Sequence, residues 1–176
     1  LTTNASLNLV AEGRPFVVDK TYYFCMTYGQ PLESNLEHTC EEFLERTIDY
    51  WQRWVKHCYL PKDYQAEVIR SALVLKLHQF EDTGAIIAAT TTSIPEAKGT
   101  ERNWDYRYCW LRDALFSLVA LQRLTHFEEL EHFVGYLRNI VASTPPGERL
   151  QPVYGISGEA QLTEEILDHL LSLIHI

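Results

Sequence analysis

The fifteen residues RNWDYRYCWLRDALF, positions 102–116, hold five aromatic rings, three arginines and two aspartates, and they run directly into SLVALQRL. From Asp113 to Leu124 almost every position is apolar, which predicts a helix covered on several sides, with Asp113 at the place of an N-cap. From Phe127 the apolar positions Leu130, Phe133, Val134, Leu137, Ile140 and Val141 keep to one stripe, the pattern of an outer helix with a single wet face. Upstream, SALVLKL at 71–77 again reads as an inner helix, capped by Asp63 and running to about Phe80. Inner and outer helices in alternation are what a toroid of helical hairpins produces.

The N-terminal part reads differently. LNLVAEG and FVVDKTYYFCMTYG, within residues 7–28, are rich in Val, Tyr, Phe and Thr around the turn EGRP, which predicts a β-hairpin. A lone hairpin is marginal in water, so these strands are expected to belong to a larger sheet. After GQPLESN the period changes. Thr39 and Glu42 form a capping-box signature, and Cys40, Phe43, Leu44, Thr47, Ile48, Trp51, Trp54, Val55 and Cys58 recur at helical spacing, predicting one buried face. The segment AIIAATTTSIPEAKGTERN reads as a long connection punctuated by Pro95 and Gly99, of a length that is usually functional.

Composition excludes several classes. At 176 residues the chain can bury a proper core, and its 46% apolar and 22% charged content is ordinary globular usage. No apolar run reaches the ~18 residues of a membrane span. The net charge of −9, with 15 scattered Lys and Arg, argues against nucleic acid or anionic lipid as partner. Cys25, Cys40, Cys58 and Cys109 have no C-x-x-C spacing and lie among apolar neighbours, as free buried thiols of a reducing compartment would. No positively charged, apolar leader is visible at the start, and the cytoplasm is the expected location. No cofactor motif is present. His126 and His132 are six apart and share no helical face, which argues against a metal site there. Glu159, Glu164 and Glu165 read as solvated or capping residues.

The aromatic and charged motif suits a sugar. A pyranose has a face of C–H groups that packs on Trp or Tyr and a rim of hydroxyls that wants directed donors and acceptors. An aspartate accepts two neighbouring hydroxyls and an arginine donates two parallel hydrogen bonds; adjacent Arg112 and Asp113 supply both. The bland alternatives stay open at this level: Asp113 as a cap, Trp104, Tyr106, Tyr108 and Trp110 as packed loop aromatics, or Asp105 with Asp113 as an acid and base pair.

AATTTSIPE, a short gap, and then RNWDYRYCWLRDALFSLVAL resemble glycoside hydrolase family 15, the glucoamylase and trehalase-like enzymes. The likeness extends to VYGISGEAQLTEEILDHL, and backwards to the tail of an N-terminal β-sandwich, so it covers the chain to about Leu170. Thr90 stands where the family usually has proline, and LSLIHI does not resemble the Gly-rich stretch that usually follows.

The resemblance implies a mainly α fold, a partial (α/α)6 barrel at 63–176 preceded by a linker helix at 33–62 and a β-sandwich remnant at 1–32. It implies hydrolysis of a terminal α-glucosidic bond, in a malto-oligosaccharide or trehalose, with inversion and without a metal in the glucoamylase chemistry. Tyr106 and Trp110 match the aromatic wall of the glucosyl subsite, and Arg112 and Asp113 the pair that grips the non-reducing-end hydroxyls. Trp104, Asp105 and Tyr108 match the motif as pocket lining or support. The family's acid and base are glutamates in later loops. Six two-helix hairpins need on the order of 200 residues, so about half a barrel fits after Lys62. The expectation is an inactive fragment of an inverting α-glucosidase. The alternative is a non-catalytic helical module that binds carbohydrate or serves as scaffold.

Overall fold

The computed structural model describes residues 1–91 and 105–163, together with the backbone of 165–166 and 174–175. The fold is mainly α, with five helices among the described residues. The chain forms two compact units, Leu1–Lys56 and His57–Ile176.

In the first unit, β1 (Thr2–Thr3) is followed by α1 (Leu7–Ala11) and β2 (Phe24–Cys25), and the two short strands pair antiparallel, Thr2 opposite Cys25 and Thr3 opposite Phe24. This corrects the expected hairpin over 7–28: LNLVA is helical. Its residues include good helix formers, and the turn closes at Gly13, whose φ of 63° lets Gly13 N–H and Arg14 N–H reach back to the carbonyls of Val10 and Leu9. Asn4 ties the unit together, accepting from Tyr23 N–H and donating to Thr21 O.

The long helix α2 (Leu36–Lys56) begins earlier than the Thr39 capping box suggests. Asn35 caps it, its side-chain oxygen accepting His38 N–H at 3.0 Å, while Thr39 sits in the first turn with its hydroxyl 2.7 Å from Ser34 Oγ. Glu37 near the start and Arg53 and Lys56 near the end complement the helix dipole, and Asp49–Arg53 at 2.6 Å is an i,i+4 pair. The expected buried face is absent: no residue of α2 is buried, and Phe43, Leu44 and Ile48 are exposed.

The second unit contains α3 (Gln65–Leu77), β3 (Cys109–Trp110), α4 (Leu111–Arg123), α5 (Glu128–Ser143), β4 (Val153–Tyr154), β5 (Glu165–Ile166) and β6 (Ile174–His175). β3 pairs antiparallel with β4, and β5 with β6. Asp63 does not cap α3. Tyr64 occupies the N-cap in the left-handed region, φ 59°, with no side-chain cap bond, and the helix stops at Leu77 rather than Phe80. Beyond it Gln79 and Ile86 form an isolated bridge, and Gly84 between them has φ 83° with His132 backbone against it, so a Cβ there would collide.

The core joins the segment after α3 to α4, α5 and β4: Ala85, Ile86, Cys109, Ala114, Leu118, Phe133, Tyr136, Ile140 and Tyr154 form one buried cluster. Tyr136 anchors it, its hydroxyl donating to Gly155 O at 2.7 Å, and burial pushes its pKa well up. The expectation that α3 and α4 are covered on several sides is corrected. In α4 Ala114, Leu118 and Leu121 are buried while Leu115, Phe116 and Val119 are exposed; in α3 Val74 and Leu77 are exposed. On α5, Val134 and Val141 of the predicted stripe face solvent, and Tyr136 takes a buried place on the core side.

Candidate functional site

The start of α4 carries the site that the sequence singles out. Residues 105–110 lead into it as a tight turn followed by β3, and main-chain bonds hold both ends of the turn. Tyr106 O accepts Ala89 N–H at 2.7 Å, Tyr108 O accepts Ala88 N–H at 3.1 Å, and Leu111 N–H donates to Pro152 O at 3.1 Å. The connection after α3 is thus partly an extended segment against the motif. Its Pro95 and Gly99, like Trp104, lie outside the described residues.

Two pairs of predicted site residues come together. The rings of Tyr106 and Trp110 have centroids 6.1 Å apart at an interplanar angle of 45°, both half-buried. The side chains of Arg112 and Asp113 meet at 3.1 Å, and that arginine is 70% exposed. Asp113 lies in the first turn of α4 rather than at its N-cap, which Trp110 occupies. Its carboxylate still sits at the positive end of the helix dipole. An aromatic pair and a charged pair adjacent along the chain give a surface with apolar faces and directed donors and acceptors. Tyr108 is half-buried.

Asp105 is a different kind of residue. It is 1% exposed, and both carboxylate oxygens are engaged by Arg107: Oδ1 accepts the backbone N–H at 2.9 Å and Nε–H at 3.2 Å, and Oδ2 accepts Nη2–H at 2.9 Å. That carboxylate raises the guanidinium's already high pKa. The carbonyl of Asp105 accepts the indole N–H of Trp110 at 3.4 Å. A carboxylate held in this way supports the turn. Arg107, the partner, was not singled out from sequence, although a short polar side chain two residues before an arginine is the local pattern of a side-chain-to-backbone turn.

A second polar cluster escaped the sequence reading. Lys76 of α3 is buried, with Nζ 3.4 Å from Glu129 Oε1, 3.1 Å from Glu81 Oε1 and 3.4 Å from Gln79 Oε1. Gln79 donates to Glu129 O at 2.9 Å, and Glu129 Oε2 lies 3.7 Å from His126 Nδ1. The one signal for it was a lysine in the otherwise apolar run SALVLKL. His126 is paired in this cluster, and among the described residues no group of three or more His, Cys, Asp or Glu could hold a metal ion. Cys25, Cys40, Cys58 and Cys109 are free thiols. Burial raises the Cys58 and Cys109 pKa values, so both stay protonated.

A cleft of about 360 Å³ is lined by Asp82, Thr83, Tyr136, Asn139, Ser143 and Ser157 among others. Three of its hydroxyl groups are spent on the chain itself: Thr83 donates to Ile156 O, Ser143 to Asn139 O and Tyr136 to Gly155 O. Glu159, read as a solvated or capping residue, accepts Ser157 N–H in the adjacent turn. No helix among the described residues is long and apolar enough to cross a membrane.

Comparison with known proteins bears on this geometry. The family model described as glycosyl hydrolases family 15 matches residues 62–173. A trehalase of Mycolicibacterium smegmatis is 42% identical over 128 residues, which is 71% of this chain and 19% of that protein. A trehalase of Mycobacterium tuberculosis is 39% identical over 132 residues, 74% of this chain and 19% of that protein. A trehalase of Thermoplasma volcanium is 36% identical over 126 residues, 72% of this chain and 20% of that protein. The chain therefore spans about a fifth of the length of the curated relatives it matches. No solved structure matches it. The match of the family model to most of the second unit, and of the trehalases to more than two thirds of the chain, leads to one conclusion: the chain belongs to glycosyl hydrolases family 15.

Proposed function

We propose that this chain is the sugar-gripping portion of an inverting α-glucosidase, with trehalose as its first candidate substrate. The observation that carries the reading is the adjacency of the tilted Tyr106–Trp110 pair and the Arg112–Asp113 pair at the start of α4. In the proposed complex the two rings pack against the C–H face of a terminal glucosyl unit. Arg112 donates to its hydroxyls, and Asp113 accepts from two of them. Polar groups committed in this way discriminate strongly against a sugar that lacks one of those hydroxyls, by ~10⁴-fold in a closed pocket. The relatives named trehalases favour trehalose over a malto-oligosaccharide.

Hydrolysis with inversion needs a general acid on the glycosidic oxygen and a general base on a water at the opposite sugar face, their carboxyl groups roughly 6.5–9.5 Å apart. Asp105, bound on both oxygens by Arg107, is unsuited to either role. We assign both to glutamates outside these 176 residues, within a complete (α/α)6 barrel of which residues 63–176 form the first hairpins. Residues 33–62 are then the linker, and 1–32 the end of a β-sandwich domain.

Calorimetry and glucose-release assays on the 176-residue protein test this. The expected result is measurable but weak binding of trehalose, lost in Arg112→Ala and Asp113→Asn, with no turnover. Robust glucose release, or trehalose binding that survives both substitutions, would overturn the assignment.

A further inference from the structure

We infer that Asp105 and Arg107 act as a positioning pair that sets the separation and tilt of the Tyr106 and Trp110 rings; the inference rests on the sugar-binding reading of those rings. Four observations lead to it. Asp105 is almost fully buried on a segment whose neighbours Arg107 and Arg112 are exposed, so its carboxylate is held inside the turn. Its two oxygens take up one backbone N–H and the guanidinium of the same residue, Arg107, which closes residues 105–107 into a compact turn. Its own carbonyl receives the indole N–H of Trp110. The main chain on either side is fixed independently, Tyr106 O by Ala89 and Trp110 by its pairing with Val153.

The consequence is geometric. Tyr106 directly follows Asp105, and Trp110 is tethered to it through the ring nitrogen, so one residue sets the origin of one aromatic ring and the direction of the other. The backbone ladders at Ala89 and Val153 hold the Cα positions but leave the χ angles of Trp110 free. The carbonyl of Asp105 removes that freedom only while the turn stays closed, and the turn is closed by the carboxylate. A buried carboxylate also needs its counterion, so Arg107 is required for Asp105 to sit where it does. Asp105 touches no substrate in this arrangement. It positions the wall that does, and ring placement to within a fraction of an ångström is what a stacking subsite requires.

The test uses the full 176-residue protein, its tryptophans labelled with ¹⁵N, in wild-type form and as Asp105→Asn, Asp105→Ala and Arg107→Ala. Two readouts are taken: trehalose and maltose affinity by calorimetry, and the Trp110 indole N–H resonance, assigned by its loss in Trp110→Phe. Far-UV circular dichroism monitors folding. We expect Asp105→Ala to fold, to shift the indole resonance and speed its hydrogen exchange, and to weaken sugar binding by about tenfold, the scale of a lost orienting interaction. Asp105→Asn keeps an acceptor for Arg107 N–H, so it is expected to retain affinity within about threefold. Arg107→Ala is expected to follow Asp105→Ala.

An unshifted indole resonance with unchanged affinity in Asp105→Ala overturns the inference. If the wild-type protein binds neither sugar, the substrate reading fails, and the indole resonance alone decides: a shift in Asp105→Ala upholds the positioning role and none removes it. Should Asp105→Ala fail to fold, Arg107→Ala is read in its place. Collapse of both would make the pair a determinant of folding and overturn its assignment to ring placement.

Discussion

The thiol of Cys58 lies 3.1 Å from Nε2 of His126, a residue 68 positions further along the chain. Two more bonds run beside this contact, Tyr59 N–H to Leu124 O at 3.0 Å and Thr125 Oγ1 to His57 O at 2.9 Å, so residues 57–59 are clasped to the corner between α4 and α5. A carboxylate oxygen of Glu129 lies 3.7 Å from the other ring nitrogen, Nδ1. Desolvation and the charge of Glu129 both raise the Cys58 pKa, which keeps the thiol in its donor form.

His126 makes the fold sensitive to acid. Burial lowers its pKa, outweighing the raising effect of Glu129, while His57 and Lys76 lower it further and Glu128 raises it. With the folded value below the ordinary ~6.5, the unfolded chain takes up a proton first as pH falls. The stability contributed by neutral His126 is therefore fully present above ~6.5 and is lost as pH drops through the folded pKa, with a slope of at most about 1.4 kcal/mol per pH unit. Urea unfolding at pH 7.5, 6.5 and 5.5 should show this slope, and His126→Gln should reduce it.

Lys76 and Glu129 are both under 10% exposed at their side chains, 8% and 2%. Removing one member leaves the other charge buried, and such losses run at roughly 3–5 kcal/mol. Lys76→Met is thus expected to destabilise the second unit by about that amount, whereas Lys76→Met combined with Glu129→Leu should recover much of the loss. Equal destabilisation by the single and double variants, measured by chemical denaturation, would argue against charge burial as the cause.

The two faces of α4 predict opposite outcomes. Leu118 is 4% exposed in the core and Phe116 is 69% exposed. Leu118→Ala should cost about 2–5 kcal/mol, the sum of lost transfer energy and a residual cavity. Phe116→Ser should change the stability of the isolated chain by no more than about 0.5 kcal/mol. Thermal unfolding of both variants checks the pair of expectations together.

The residues that were legible in sequence are those whose signal is local. The apolar positions of α4 and α5 mark helices to within a few residues at each end, because helical hydrogen bonds connect near neighbours and periodicity shows which residues recur on one side. Legibility failed where a local preference had a close competitor. LNLVA has enough Leu and Val to read as strand, yet one glycine at φ 63° was sufficient to end it as a helical turn. Tyr64 in the left-handed region replaced the expected Asp63 cap, a backbone choice that its residue type gives no reason to expect.

In the candidate site, sequence alone selected the aromatic and charged residues of 104–113, because ring, carboxylate and guanidinium chemistry is a property of residue type and spacing. Tertiary structure decided the surroundings of each. It buried Asp105 against Arg107, left Arg112 in solvent beside Asp113, and set Tyr106 and Trp110 as neighbours. It alone also joined Lys76 to Glu129 and Cys58 to His126, and it left half of α4 uncovered. The physical reason is that burial and charge pairing depend on which distant segments meet: the Gln79–Glu129 bond spans 50 residues and the Cys58–His126 contact 68, separations over which no periodicity carries information.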